Sequence, residues 1–349
     1  MNKIVVSIII VVVLLAGAGF AIYKIAPQTP SAAPSGAAAV SRALIGFSLG
    51  TSHEERWQKD ADLFTARAKE LGADVQVLYS GEDGNLQISQ AENLIIQGAK
   101  VLVVVPYDAV ASKAIVDRAH AAGVKVIAYD RMILNSDVDL FLTFDSRKLG
   151  ELQAAEVVKH VSKGAFAYIG GSPTDNNASL LKEGSMKVLA PLIKSGAITL
   201  PVSSFSTNWN PEEAYKSIKG YLATGKKLDA VVAANDGTAG GVIRALIEAG
   251  LSNVPVSGQD ADLAACQRIV QGLQTMTIYK PLNDLATRAA EEAVLIAQGK
   301  PAQTNGTMNN GKIEVASYFL DPIVVTKDNM DAIIITGGFH THDEVYGKK

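Results

Sequence analysis

Cysteine is nearly absent from this chain: Cys266 is the single one in 349 residues. No internal disulfide can form, so the thiols say nothing about redox compartment. Cys266 lies in the helical-looking stretch ADLAACQRIV and is expected to be a buried packing residue. An excess of either charge is missing too. Lys and Arg total 32 against 35 Asp and Glu, for a net charge of −3, and no basic stripe occurs, so there is no electrostatic footprint for nucleic acid. A GxxxxGK[ST] phosphate loop is lacking, and the GxSxG spacing of Gly46 to Gly50 puts its serine inside the apolar run ALIGFSL rather than on a strand-to-helix turn, so it is no nucleophile elbow. Gly170-Gly171 and Gly240-Gly241 read as close-packing or turn glycines. The 5 histidines are scattered; His340 and His342 share FHTHDE, but an HxH pair alone is a weak metal signal. Neither metal nor cofactor is expected. Tryptophan is limited to Trp57 and Trp209.

What is present is a soluble α/β composition, 48% hydrophobic and 19% charged with 30 Gly and 12 Pro. The N-terminus differs from the rest. Ile4 to Tyr23 carries no charge and is long enough to cross a hydrocarbon core of about 30 Å. Residues 1–24 are therefore expected to be a transmembrane anchor or a signal segment. The length of the apolar run favours an anchor, while Ala16-Gly17-Ala18 and Ala37-Ala38-Ala39 offer cleavage sites. Residues 25–41, rich in Pro, Ala and Ser, read as a tether. The globular part is thus expected outside the cytoplasm.

From Ser41 onward, short apolar runs alternate with amphipathic stretches: ALIGFSL, VQVLYS, VLVVVP, VKVIAY, FLTFD, AFAYIGG, ITLPVSSFS, DAVVAAN, VPVSG and TMTIYK, with helices between them. Near-continuous apolar strands separated by helices predict parallel sheets covered on both faces. The roughly 310 residues involved exceed what one core usually supports, about 250–300. Two lobes follow, with residues 42–144 and 282–312 in the first and 145–281 and 313–349 in the second. Repeated crossovers between them make a hinge.

Ligands of open α/β sheets bind beyond the carboxyl ends of the strands. Several runs end there in groups that grip hydroxyls: Asp130-Arg131, Asp175-Asn176-Asn177, Asn235, Asp260 and Lys280. A carboxylate beside a five-donor guanidinium can accept from and donate to neighbouring hydroxyls. One of the Asp175 to Asn177 trio is expected to cap the following helix, leaving at least two side chains for a ligand. Trp57, just after the first strand beside Arg56, shares a helical stripe with Ala61, Phe64, Ala68 and Leu71, so core and site readings both stand. Trp209, in the polar loop FSTNWNPEE, has no such stripe and points to binding. Indoles cover the C–H faces of a sugar ring while its hydroxyl rim stays free for hydrogen bonds. The cations and amides beside the carboxylates favour their ionised forms, which suits binding better than general-acid chemistry.

The segments ERWQKD, YDRMI, GGSPTDNNA, AANDGTAGG, SGQDADLA and TMTIYKP, in this order from about Ala43 to His340, closely resemble the D-xylose-binding proteins, sugar-binding subunits of ABC importers in the ribose-binding and repressor-core superfamily. The resemblance implies a periplasmic-binding-protein-like I fold: two Rossmann-like lobes, each a parallel sheet flanked by helices, joined by a multi-strand hinge. It implies a non-enzymatic, monomeric extracytoplasmic receptor whose partners are a monosaccharide, D-xylose or a related pentose, and a membrane permease. Carried over by motif, the ligand residues are Arg56, Trp57, Asp130, Arg131, Asp175, Asn177, Trp209, Asn235, Asp260 and Lys280. Two stretches depart from the pattern, His53-Glu54 and the loop from Ser206 to Asn210. No cysteine follows the apolar N-terminal run, so it has no lipid-attachment site there. A sugar-responsive repressor would need a DNA-binding helix-turn-helix where this chain has its apolar segment, and an enzyme would need a metal or an acid/base pair. A receptor subunit for chemotaxis or a sensor kinase is the alternative that the residues leave open.

Overall fold

The computed structural model describes residues 42–348, and the expected anchor or signal and its tether lie outside them. Among the described residues no helix is long and apolar enough to cross a membrane. The described residues form one compact unit.

Its first half alternates β1 (Leu44–Leu49), α1 (Arg56–Glu70), β2 (Asp74–Tyr79), α2 (Gly84–Ile96), β3 (Val101–Val105), α3 (Lys113–Ala121), β4 (Lys125–Tyr129) and β5 (Leu140–Phe144). Every residue of β3 and β5 is buried, because helices cover both faces of the sheet. On α1 the buried stripe runs Trp57, Ala61, Phe64 and Ala68, one side chain per turn of 3.6 residues. The second half continues with α4 (Ser146–His160), β6 (Gly164–Gly170), α5 (Asn176–Lys194), β7 (Ile198–Phe205), α6 (Pro211–Leu222), β8 (Ala230–Ala233), α7 (Asp236–Glu248), α8 (Leu263–Val270) and β9 (Thr277–Tyr279). After it come α9 (Leu282–Ala297), β10 (Gly306–Asn309), β11 (Glu314–Leu320), β12 (Ile323–Val325) and α10 (His342–Tyr346).

Two main sheets result. The first has seven strands in the order β2-β1-β3-β4-β5-β11-β10, and the second three in the order β7-β6-β8. The parallel triplets β2-β1-β3 and β7-β6-β8 share one winding, which is the internal repetition that the sequence predicts. Three expectations need correction. The run VPVSG is not a strand; it contributes one bridge, Val256 beside Val231, because Gly258 and the turn after it end the pairing. β9 does not join the three-stranded sheet but pairs antiparallel with β12. Residues 314–320, assigned to the second lobe, instead form β11, which pairs parallel with β5 and antiparallel with β10 in the first sheet. Which sheet takes an edge strand is decided by tertiary pairing that local hydrophobicity does not record.

The chain therefore passes between the sheets at three places: after β5, between β9 and α9 around Lys280-Pro281, and between β11 and β12 at Asp321-Pro322. Two partial matches to a phosphate loop also need placing. Gly220 to Lys226 and Gly306 to Lys312 have the GxxxxGK spacing, but Lys227 and Ile313 follow where Ser or Thr belongs. The first lies at the end of α6 and the second in β10 and the turn to β11, neither between a strand and a helix N-terminus, so they offer no phosphate cradle.

Candidate functional site

The carboxyl ends of the strands in both sheets face one cavity. All ten residues singled out from the sequence line it: Arg56, Trp57, Asp130, Arg131, Asp175, Asn177, Trp209, Asn235, Asp260 and Lys280. Arg56 and Trp57 open α1; Asp130 and Arg131 follow β4; Asp175 and Asn177 stand at the start of α5; Asn235 caps α7; Lys280 follows β9.

Charge pairing organises this space. The Arg56 guanidinium is 2.9 Å from Asp60, 2.8 Å from Asp130 and 3.8 Å from Asp260. Lys280 Nζ lies 2.8 Å from Asp260 and 3.5 Å from Asp130. Arg131 bridges Asp175 at 2.9 Å and Glu54 at 3.3 Å. Burial by itself would raise the Asp130 carboxyl, but Arg56, Lys280 and Arg131 outweigh it and hold it down at about 2. Asp175 goes the other way. Burial raises its carboxyl against the opposing pull of Arg131 and the Asn177 backbone N–H, so the expectation that neighbouring cations keep every site carboxylate low fails here.

The two tryptophans also resolve. Trp57 is both a core residue and a lining residue: only 2% exposed, it packs with Phe64 and Ala61 and carries the guanidiniums of Arg56 and Arg131 at 4.4 and 5.1 Å from its ring centre. Trp209 ends a short turn, Thr207–Trp209, and its Nε1 donates to Asp175 at 3.2 Å. A β-carbon on Gly171 would stand 2.3 Å from that indole, so a side chain there and the observed ring position exclude one another. Gly171→Val is accordingly expected to displace Trp209 and weaken ligand binding more than tenfold, about 1.4 kcal/mol or more. Titration calorimetry, with circular dichroism as the folding control, checks it.

Backbone strain aims several of these groups. Asp130, Trp209 and Asp260 have φ of +60°, +57° and +98°, a region costly for residues other than glycine. The Asp260 turn is braced from behind. Asp236 accepts from the Asp262 N–H at 3.0 Å, the Thr277 hydroxyl at 2.8 Å and the Gln274 amide at 2.8 Å, while the Ala261 N–H donates to the Thr277 hydroxyl at 3.1 Å. His340 does not pair with His342; its Nε2 sits 2.8 Å from the Ala261 carbonyl on the same turn.

Capping and lining coincide at two positions. Asp175 is the N-cap of α5 and accepts from the Asn177 N–H. The Asn177 amide donates across the cavity to the Asp130 carbonyl at 3.0 Å. Asn235 caps α7 in a capping box with Thr238, which occupies its Oδ1 and leaves its amide nitrogen without a partner among the described residues. Glu54, from the departing stretch expected to border the pocket, lines it too, whereas reading strand ends and motifs missed Thr143, Phe144, Ser146, Leu149 and Gln259. Gln259 directly precedes Asp260 and was legible by that position. Its buried Oε1 has no hydrogen-bond partner among the described residues, nor has Arg56 Nη2.

The family model described as "Periplasmic binding protein domain" matches residues 45–301. The chain is 46% identical to the D-xylose-binding periplasmic protein of Haemophilus influenzae, over 86% of this chain and 92% of that one. It is 45% identical to the protein of the same name from Escherichia coli, over 88% and 94%. Among solved structures, it resembles an ABC transporter solute-binding protein from Clostridium phytofermentans with bound β-D-glucose. That match has a TM-score of 0.82 and 30% identity, and it covers 86% of this chain and 99% of the other.

Proposed function

This chain belongs to the periplasmic binding protein family, and on that premise we propose that it binds D-xylose outside the cytoplasm and delivers it to an ABC importer. The observation that carries the reading is the lining of the cavity. Charges of both signs stand in mutual contact there, with two indoles beside them. A charged ligand would unbalance such a set. A neutral polyol can donate to the carboxylates and accept from Arg56, Arg131, Lys280 and the free amide of Asn235 without changing the net charge. Unpaired Arg56 Nη2 and Gln259 Oε1 are the groups such a ligand would satisfy.

The ligand residues fall on both sides of the crossings. Arg56, Trp57, Asp130 and Arg131 come from the first sheet's elements; Asp175, Asn177, Trp209, Asn235 and Asp260 come from the second's, with Lys280 at a crossing. We take these as two lobes that close about the three crossings. Ligand bridges them only when closed, so its binding energy favours that form. The closed form is what a permease would read.

Titration calorimetry with D-xylose tests this. The wild-type protein is expected to bind at micromolar affinity or tighter, about −8 kcal/mol. Arg131→Ala and Asp260→Ala are each expected to weaken binding at least about tenfold, since each removes from the cavity lining a charged group that can hydrogen-bond a hydroxyl. Unchanged affinity in both variants would sink the site assignment. A tryptophan-fluorescence screen that finds no response to any pentose or hexose would sink the sugar reading, because both of the chain's tryptophans line the cavity.

A further inference from the structure

Outside the ligand set, a second group of side chains joins the two halves of the molecule. It sits in the loop from Ser206 to Asn210, one of the two stretches that depart from the family pattern. Asn208 receives a hydrogen bond from the Tyr107 hydroxyl on its Oδ1 at 3.1 Å and donates from Nδ2 to Glu82 at 2.9 Å. Tyr107 follows β3 and Glu82 follows β2, both in the first sheet, whereas Asn208 follows β7 in the second. None of the three lines the main cavity. They border a smaller crevice beside it, which shares only Glu54, Arg131 and Trp209 with the cavity lining.

Both sides of this contact are held in place. Glu82 also meets His53 at 3.2 Å and the Thr51 hydroxyl at 3.4 Å, so the second departing stretch feeds the same contact. The Tyr107 N–H donates to Gln87 at 2.9 Å, and a β-carbon on Gly50 would run into the Tyr107 backbone at 2.5 Å. On the other side the Asn208 N–H reaches the Ser172 hydroxyl at 3.3 Å. Asn208 and Trp209 are consecutive left-handed residues, with φ of +52° and +57°, and Asn is among the few residues that take this conformation readily. A backbone hydrogen bond from the Ala109 N–H to the Thr174 carbonyl, 2.9 Å, closes the same rim.

We infer that Glu82, Tyr107 and Asn208 form a latch that sets sugar affinity without touching the sugar. It does so by holding the two lobes together and by fixing Trp209, the next residue, in its place against the ligand. The inference rests on the lobe closure proposed above. The apparent dissociation constant is the intrinsic one divided by the fraction of molecules in the competent form, so a contact made only on closure tightens binding even when no ligand atom touches it. Its effect falls on the dissociation rate, since sugar enters the open form while the latch holds the closed one, whether occupied or empty.

Asn208→Asp is the informative variant. It keeps the shape and the tolerance for a left-handed backbone, but replaces the amide donor with a carboxylate facing Glu82. Adding Glu82→Gln returns one donor and removes the repulsion. Stopped-flow tryptophan fluorescence with D-xylose and small-angle X-ray scattering of the sugar-free protein read the outcome. Asn208→Asp is expected to raise the dissociation rate about five- to tenfold, the loss of one charge-assisted hydrogen bond at a half-buried site. The association rate is expected to change less than about twofold, and the sugar-free radius of gyration to increase. The double variant is expected to recover most of both. If Asn208→Asp behaves as wild type in rate and scattering, the latch is overturned. If it opens and the double variant does not recover, the loop acts through its backbone and the Glu82 pairing is wrong. A wild-type protein that ignores every sugar, with the scattering change and its recovery intact, refutes the proposed ligand and leaves the latch standing.

Discussion

Arg56→Met is expected to lower the free energy of unfolding by about 3–5 kcal/mol at neutral pH, the usual cost of removing one member of a buried charge network. Methionine keeps most of the aliphatic volume, so the loss is electrostatic rather than a cavity. The guanidinium, 3% exposed, is the shared counterion of Asp60, Asp130 and Asp260, and Asp60 has no exposure at all. Without it, Asp130 and Asp260 retain Lys280, while Asp60 retains only the Tyr129 hydroxyl. Burial already raises the Asp60 carboxyl against the pull of Arg56. Its removal should therefore drive Asp60 to take up a proton, and the deficit should shrink as pH falls through the acid range. Urea unfolding at pH 7 and pH 5 measures both effects. A difference below about 1 kcal/mol at pH 7, the scale of an exposed ion pair, would mean that Arg56 is not the keystone of the network. D-xylose binding is expected to be lost, since two of the three carboxylates that Arg56 orders also line the cavity.

This network shows where the sequence could be read and where it could not. Asp130, Arg131, Asp175, Asp260 and Lys280 were legible because each ends an apolar run, and strand ends converge in an open parallel sheet. Asp60 was not. It lies one turn after Arg56 on the buried face of α1, among Trp57, Ala61 and Phe64, and the amphipathic reading attends to that stripe only for its apolar members. Asp236 was passed over for a similar reason. Next to the N-cap Asn235 it reads as a first-turn acid complementing the helix dipole, whereas it is 1% exposed and braces the turn that carries Asp260. The sheet membership of β11 and the pairing of β9 with β12 are beyond local pattern altogether. They depend on which edge is open once the rest of the chain has folded.

Asp236 leads to a stability profile of opposite sign to that of Asp130. Burial raises its carboxyl to about 7, with Arg268 opposing and Asp260 adding to the rise; Asp262, on the same turn, is raised by burial and by Asp236 itself. A carboxyl whose folded value lies above its unfolded one holds more protons in the native state between the two values. Stability from this group is therefore complete below about 4 and falls as pH rises toward 7, at a slope approaching ~1.4 kcal/mol per pH unit where one proton separates the states. Asp130, depressed to about 2, contributes stability that is present above about 4 and is lost on further acidification. Asp236→Asn removes the titrating group and retains an oxygen for the Asp262 N–H and the Thr277 hydroxyl, but loses the acceptor that faces the Gln274 amide. The variant is expected to carry a pH-independent cost from that loss and to gain progressively on wild type from pH 4 toward pH 7. Urea unfolding across that range gives the comparison. A wild-type minus variant difference that stays flat from pH 4 to 7 would show that Asp236 is ionised throughout, with Arg268 rather than burial deciding its charge.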